Sequence, residues 1–201
     1  MGGMGHPRRR VTHGAAGVAL VAGVLAGCSP DEVPGEQQTP TPRSVALRVE
    51  SVSGADHLDE EDRTALETEI GDVLSHYVVR GFLGDFPRRE FVASFESFTS
   101  GAARHAARDI EQLTAARVQD ATAVRATRLD ADLSFLVDGQ DVIGATAAVR
   151  FAFEATMEDG KPRPLSLRGR FLLEEGAGEW SIFGYDVALD DGATLETGVA
   201  P

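Results

Sequence analysis

The sequence predicts an α+β domain in which N-terminal helices pack on a curved antiparallel sheet of about four strands. The first reason is that apolar residues recur with the helical period of about 3.6 residues from Leu58 to Leu113. The second is that the period changes to 2 after about Ala123, as in half-buried strands. Helices followed by strands, rather than alternating with them, are typical of an α+β fold.

The start of the chain has the order of a secretory signal. Residues 1 to 27 contain the basic run Arg8-Arg9-Arg10 and an apolar stretch from Gly14 to Val24. This stretch is about half of the ~20 residues that a membrane-spanning helix requires, so a permanent span is not expected. The next four residues, Leu25-Ala26-Gly27-Cys28, resemble the lipobox of bacterial lipoproteins.

The lipobox resemblance implies that the thiol of Cys28 is diacylated and that the chain is cleaved just before it. Two acyl chains anchor a protein stably, because each buried methylene contributes about 0.8 kcal/mol and one chain holds only marginally. The resemblance therefore implies a position on the outer face of the cytoplasmic membrane. The alternative is a chance cysteine after an ordinary export signal. Cys28 is the only cysteine, so no disulfide is expected.

The chain after the signal is strongly acidic and is expected to hold one folded domain. Of the 19 basic residues three precede Cys28, whereas all 32 acidic residues follow it, which leaves 16 against 32 and a formal net charge of −16. Such a surface repels phosphate groups, so nucleic acid is not an expected partner. Residues 28 to 43 are predicted to be a disordered, proline-rich spacer, 44 to 189 the domain, and 190 to 201 a disordered tail.

Three helices are predicted in the first half of the domain. The first has Asp59 as its N-cap, ends near Gly81 and Gly84, and carries an apolar stripe at Leu66, Ile70, Val73, Leu74, Tyr77 and Val78. The second is expected to begin at Asp85-Phe86-Pro87 and to bury Phe91, Phe95 and Phe98. The third buries Ala103, Ala106, Ala107, Ile110 and Leu113.

Four strands are predicted in the second half, and a further short strand is a candidate at Val45 to Val52. The first strand has inward residues Leu129, Ala131, Leu133, Phe135 and Val137. The second has Ile143, Ala145, Ala147, Val149, Phe151, Phe153 and Ala155. The third has Leu165, Leu167, Gly169, Phe171 and Leu173. The last, Trp180 to Val187, has apolar residues at both parities, so its inward face stays open.

The register of the two hairpins follows from matching these apolar faces. The pairings are Phe135 with Ala145 and Phe153 with Gly169, which bring Asp130 opposite Arg150 and Glu154 opposite Arg168. Opposite charges across a sheet contribute about 0.2–1 kcal/mol, so both pairings are consistent with one antiparallel sheet.

Element order and two local stretches resemble the NTF2-like superfamily, which includes the nuclear transport factor, ketosteroid isomerases and many small exported actinobacterial proteins. The stretches are 95 to 102, Phe-Glu-Ser-Phe-Thr-Ser-Gly-Ala, and 178 to 182, Gly-Glu-Trp-Ser-Ile. The resemblance covers about residues 58 to 189. It implies a cystatin-like cone that encloses a pocket, in which some members place a carboxylate and a tyrosine to move protons. A strand before the first helix departs from the commonest pattern.

The cone pocket is the candidate ligand site. Small side chains at Ala145 and Ala147 would leave room for an apolar ligand. The other candidate lining residues are Tyr77, Phe91, Phe95, Phe151 and Tyr185. The alternative is that side chains such as Phe91 or Phe95 fill this space, and that both tyrosines are core residues with one satisfied hydroxyl.

The sequence predicts no catalytic residue, metal site or cofactor. The inward residues of the first two strands include no acid or base, and Asp130, Asp132 and Glu154 fall on the outer face. The histidines after Cys28, which are His57, His76 and His105, lack the spacing of a metal site.

These observations favour a non-enzymatic module, anchored to the membrane through Cys28, that binds an apolar small ligand or an envelope protein. One alternative is a small NTF2-like isomerase or lyase acting on an apolar substrate in the cone pocket. Another is an accessory subunit that forms a homodimer through the outer sheet face, as many members of the superfamily do. On that face Arg150, Arg168 and Arg170 either meet a partner's carboxylates or form ion pairs within the sheet.

Overall fold

The computed structural model describes residues 45–56, 58–139 and 141–192, which form three helices and five strands. The strands are β1 Arg48–Ser53, β2 Ala123–Asp138, β3 Asp141–Thr156, β4 Pro162–Gly176 and β5 Glu179–Asp190. The helices are α1 Glu60–Phe82, α2 Ser100–Ala106 and α3 Ile110–Leu113. The predicted signal, lipobox and spacer, His57 and residues 193–201 lie outside the described residues. None of the described helices is long and apolar enough to cross a membrane.

The strands form one sheet in the order β1-β2-β3-β4-β5, so the predicted α+β class is confirmed. Strands β2 to β5 pair antiparallel, as expected. The sheet has five strands rather than about four, because β1 forms at the candidate position before α1. Strand β1 pairs parallel with β2, so the sheet is mixed. The chain between them contains all three helices, which is long enough for a parallel crossover.

The register of the first hairpin is confirmed, and that of the second is wrong by four residues. Phe135 lies opposite Ala145, as predicted. Phe153 lies opposite Leu165 instead of Gly169, because a short turn joins Thr156 directly to Pro162 across the hairpin. Turn length fixes hairpin register, and a cross-strand charge pair worth about 0.2–1 kcal/mol does not override it. The error is an even number of residues, so the inward face is unchanged.

Two β-bulges expose apolar residues that lie within the strands. Ile143 was predicted to point inward, but the register of β2 and β3 shifts beside it and its side chain is 51% exposed. A shift in β4 and β5 does the same at Phe183, which is 45% exposed. This second bulge resolves the ambiguous last strand: Ile182 is buried before the bulge and Leu189 after it. A bulge inserts one residue and so reverses the parity of the strand.

The first predicted helix is confirmed. The carboxylate of Asp59 accepts a hydrogen bond from the backbone N–H of Asp62 at 2.9 Å, as an N-cap does. Helix α1 buries one face against the sheet, and its buried residues are Ile70, Gly71, Leu74, Tyr77, Val78, Gly81 and Phe82.

The second predicted helix is wrong. Between Asp85 and Phe98 the chain forms only a 3₁₀ turn at Val92–Phe95, and the Phe86–Pro87 peptide bond is cis. The backbone N–H of Arg88 bonds to the carbonyl of Gln119 at 2.9 Å instead of starting a helix. The three aromatic residues are nevertheless buried as predicted, namely Phe91, Phe95 and Phe98.

The third predicted helix is divided into α2 and α3. Ala107 was expected to be buried, but it lies in the break between the two helices and is exposed. The break redirects the chain, so that Ala106 in α2 and Leu113 in α3 are both fully buried.

Aromatic rings fill the space between α1 and the sheet. The hydroxyl of Tyr77 donates a hydrogen bond to the carbonyl of Leu113. Centroid distances from the Tyr77 ring are 5.1 Å to Phe171, 5.6 Å to Phe98 and 6.0 Å to Phe82. The ring of Phe82 stacks in parallel on that of Phe153 at 4.3 Å. Edge-to-face and offset-stacked rings at these distances pack at the density of a protein core.

Candidate functional site

Six of the seven predicted pocket residues lie in the packed core. These are Tyr77, Phe91, Phe95, Ala145, Ala147 and Phe151, each at most 5% exposed. The small side chain of Ala147 lies between Leu133 and Phe171 on the neighbouring strands. The space that this small side chain leaves is therefore bordered by bulky residues. The seventh residue, Tyr185, is half-buried and reaches the protein surface.

Tyr185 lines a surface depression between β5, α2 and Asp109, which directly precedes α3. The depression has a volume of about 490 Å³, and its lining residues are Thr99, Gly101, Ala102, His105, Asp109, Phe183, Gly184 and Tyr185. It combines two aromatic rings with a carboxylate, an imidazole and two hydroxyl groups, those of Thr99 and Tyr185. A small number of polar groups that converge beside aromatic side chains is typical of ligand sites.

Backbone hydrogen bonds hold α2 against β5. The carbonyl of Ser97 accepts a hydrogen bond from the N–H of Ile182, and the carbonyl of Ile182 accepts one from the N–H of Thr99, both at 2.9 Å. The Thr99 hydroxyl oxygen then caps α2 by accepting a bond from the N–H of Ala102. The start of α2 is thus fixed to the strand that carries Phe183 and Tyr185.

The bulge in β5 gives Phe183 its position in the depression. Leu172 pairs with Gly184 and Leu173 with Ile182, so Phe183 has no partner on β4. Bulges next to functional sites commonly redirect a side chain in this way. Phe183 and Tyr185 therefore both line the depression, whereas Ile182 stays in the core.

A hydrogen bond joins the two polar groups at the centre of the depression. The hydroxyl of Tyr185 donates to Oδ2 of Asp109 at 2.7 Å. In the part of the chain that the structure describes, Tyr185 is the only side-chain or backbone donor to this carboxylate. Burial, the hydrogen bond and the negative charge of Asp109 raise the pKa of Tyr185 to about 12, against the opposing charge of Arg108. The hydroxyl therefore remains protonated at neutral pH and holds the carboxylate in place.

Both tyrosines of the chain should resist ionisation in the folded protein. Burial raises the pKa of Tyr77 well above its usual range, and the pKa of Tyr185 is about 12. Unfolded tyrosines ionise near pH 10. We therefore expect almost no tyrosinate absorbance at 295 nm in native protein at pH 10.5, but more than half of the full signal in denaturant.

The same pKa shifts have a consequence for stability. A raised folded-state pKa contributes stability that is fully present below the unfolded value, about pH 10. For Tyr185 it is lost as the pH rises towards about 12. The Asp109→Asn variant should shift the Tyr185 transition to lower pH, because it removes the negative charge. If half of the tyrosine in the native protein were ionised at pH 10, neither Tyr77 nor Tyr185 would have the raised pKa described above.

The two described histidines, His76 and His105, lie in different surroundings. His105 lines the depression, whereas His76 lies on α1 with its Nδ1 2.9 Å from Oγ of Ser97. The described residues contain no group of three or more His, Cys, Asp or Glu side chains that could hold a metal ion.

The three candidate arginines of β3 and β4 bond to neighbouring side chains of the sheet. Arg150 forms two hydrogen bonds with Asp132, at 2.9 and 3.1 Å, and Arg170 bonds to Asp186 at 3.0 Å. Arg168 bonds to the hydroxyl of Ser166 at 3.1 Å. Two of the three candidate arginines thus form ion pairs within the sheet, and such exposed pairs contribute little stability.

Of the residues that line the depression, sequence reasoning proposed only Tyr185 as a pocket residue, and it missed the two that matter most beside it. Asp109 fell inside the predicted third helix without being assigned a role, and Phe183 lay in a strand of uncertain face. The partners Asp109 and Tyr185 are 76 residues apart in sequence. No local pattern marks such a pair. The only available signal was the unusual run of apolar residues at both parities in β5, which the bulge explains.

No protein family and no curated protein matches the chain. Among solved structures, the chain is similar to the crystal structure of a putative calcium/calmodulin dependent protein kinase II association domain from Xanthomonas campestris. The two are 13% identical, the match covers 72% of this chain and 91% of that chain, and the TM-score is 0.39. This similarity assigns neither a family nor an activity.

Proposed function

We propose that the chain is an exported lipoprotein, anchored through Cys28 to the outer face of the cytoplasmic membrane, with a non-enzymatic binding domain of NTF2-like type. The observation that carries the binding role is the surface depression, where Phe183 and Tyr185 lie beside the carboxylate of Asp109. The aromatic core next to it is tightly packed. A ligand or a partner protein is therefore expected at the surface depression rather than in the interior of the cone.

The anchor is supported by the residues of the lipobox and by the charge of the mature chain. Leu25, Ala26 and Gly27 precede Cys28 directly after the apolar stretch. With 16 basic and 32 acidic residues from Cys28 onward, the protein would be repelled by anionic lipid head groups. Electrostatic adhesion cannot then replace the acyl chains, and two such chains suffice for stable attachment.

The Cys28→Ser variant should lose lipid modification completely. In a bacterial host that expresses the full chain and is fed an alkyne-tagged fatty acid, we expect label on the mature wild-type protein and none on the variant. Ser29→Ala, which changes the next residue and leaves the thiol, is the matched control and should label like the wild type. Mass spectrometry should find an acylated Cys28 as the first residue. Any other mature N-terminus, or a labelled Cys28→Ser variant, would refute the anchor.

A second candidate function is acid–base catalysis, which the Asp109–Tyr185 hydrogen bond favours. The NTF2-like resemblance implies that a carboxylate and a tyrosine can move protons in such domains. However, a pKa of about 12 makes Tyr185 a weak general acid at neutral pH, where the best catalytic groups have a pKa near the working pH. The depression is also open to water. Binding is therefore the better-supported function. A turnover lost in both Asp109→Asn and Tyr185→Phe would favour catalysis.

A further inference from the structure

We propose that the depression is a binding site for an organic cation, an ammonium group carried on an apolar body. In this assignment Asp109 is the counter-ion, and the rings of Phe183 and Tyr185 are the walls. The inference rests on the proposed function, because it names the class of ligand that the binding domain takes.

The carboxylate of Asp109 has unused capacity for a cation. An ionised carboxylate can accept about four hydrogen bonds. Asp109 accepts one, from Tyr185, and among the described residues it forms no ion pair within 4.0 Å. The residue is half-buried, so the negative charge is partly removed from water without a cationic partner. A ligand that supplies the positive charge would complete this site.

The aromatic walls suit the apolar part and the charge of such a ligand. Ring faces attract ammonium and guanidinium groups, because the electron density of the ring is negative above and below its plane. Phe183 is exposed beside the depression although it is a large apolar side chain. The hydroxyl of Tyr185 is bonded to Asp109, which fixes the ring relative to the carboxylate. One side of the ligand can therefore meet the charge while the other covers Phe183.

Other ligand classes fit this depression less well. A neutral apolar ligand would remove Asp109 from water without a compensating charge. An anion would meet a carboxylate on a protein whose acidic residues outnumber its basic ones by 32 to 19. Arg108 is a nearby positive charge that acts on Tyr185 and opposes cation binding. Removing this charge should accordingly strengthen the binding.

The test is a titration of the full-length protein, in a non-ionic detergent, with benzylammonium chloride. Binding can be followed by isothermal calorimetry and by the amide signals of Gly184 and Tyr185 in NMR spectra. We expect saturable binding that is at least about tenfold tighter than that of benzyl alcohol, which lacks the charge. Asp109→Asn should weaken the binding at least about tenfold. Glu111→Gln makes the same charge change outside the depression and should alter the affinity less than about twofold.

Two further variants keep the test independent of folding. Phe183→Ala removes an exposed ring and should weaken benzylammonium binding several-fold while the protein stays folded. Arg108→Gln should strengthen binding about twofold to threefold, because it removes a nearby positive charge that repels the cation through water. A structural disturbance would weaken binding in every variant, so the gain in Arg108→Gln is diagnostic.

A second probe distinguishes two sources of the cation, a small amine and a lysine of a protein. This probe is Nα-acetyl-lysine methylamide, which represents a lysine side chain. Comparable binding of the two probes indicates a protein lysine, whereas binding of benzylammonium alone indicates a small amine. The inference is overturned if benzylammonium does not bind, if benzyl alcohol binds equally well, or if Asp109→Asn and Glu111→Gln have the same effect. Equal binding of benzyl alcohol would support a binding domain that does not select for charge, so the proposed function would survive while this inference fails. The lipid label at Cys28 tests the membrane anchor separately.

Discussion

Replacing Gly169 with alanine should destabilise the domain by about 3–5 kcal/mol, a large part of the 5–15 kcal/mol typical of a folded domain. Gly169 lies in the middle of β4, opposite Val187 of β5, with φ at +139°. An added Cβ would lie 2.1 Å from the carbonyl oxygen of Asp186 and 2.6 Å from the Cα of Val187. Both are backbone atoms, so the two strands would have to separate.

The measurement is urea denaturation of the wild type and the variant, followed by tryptophan fluorescence. Trp180, the only tryptophan, is buried in β5 and reports on the same pair of strands. Gly101→Ala is the control: this glycine lies in α2, and its added Cβ would meet nothing within 4 Å. It should be neutral or stabilising by up to about 1 kcal/mol. Equal midpoints for Gly169→Ala and wild type would disprove the close approach of β4 and β5.

Patterns that involve only neighbouring residues were sufficient to predict most elements. The period-2 pattern identified β2 to β4, and the capping residue Asp59 identified the start of α1. The first hairpin register followed from matching Phe135 to Ala145. These segments are strongly amphipathic, and each can bury its apolar face in only one way. Local sequence and tertiary packing therefore agree.

Features that depend on non-local packing were not predictable in the same way. The spacing of Phe91, Phe95 and Phe98 fits a helix, but the segment satisfies its backbone groups elsewhere, including at Gln119, and buries the rings without one. The bulge at Ile143 likewise has no signature in the alternating sequence around it. An apolar pattern predicts which residues are buried, but more than one backbone conformation can bury the same residues.

The candidate site lies where these irregular features meet. Its aromatic wall depends on the bulge at Phe183, and its carboxylate comes from the break between α2 and α3, where Asp109 lies. A regular strand and a continuous helix would bring neither residue to this surface. Departures of this kind from local sequence rules are expected at functional sites, because function constrains those positions in addition to folding.

Replacing Phe82 with alanine should destabilise the domain by about 3–5 kcal/mol, the range for truncation of a buried phenylalanine. Phe82 is fully buried at the end of α1. Its ring stacks on Phe153 of β3 at 4.3 Å and meets the edge of Tyr77 at 6.0 Å. Truncation would leave a cavity between helix and sheet that rigid strands cannot close. Thermal unfolding followed by circular dichroism should show a lower midpoint than that of the wild type.

Phe183→Ala is the matched control, because it removes the same ring from an exposed position on the bulge of β5. Its effect on stability should be about half as large or less, because 45% of Phe183 is already exposed and less buried area is lost. The two variants should therefore separate the roles of the aromatic residues: Phe82→Ala loses more stability, whereas Phe183→Ala loses less stability and also loses affinity for benzylammonium. Equal destabilisation by both would mean that Phe183 belongs to the core, and the aromatic wall of the proposed site would then not exist.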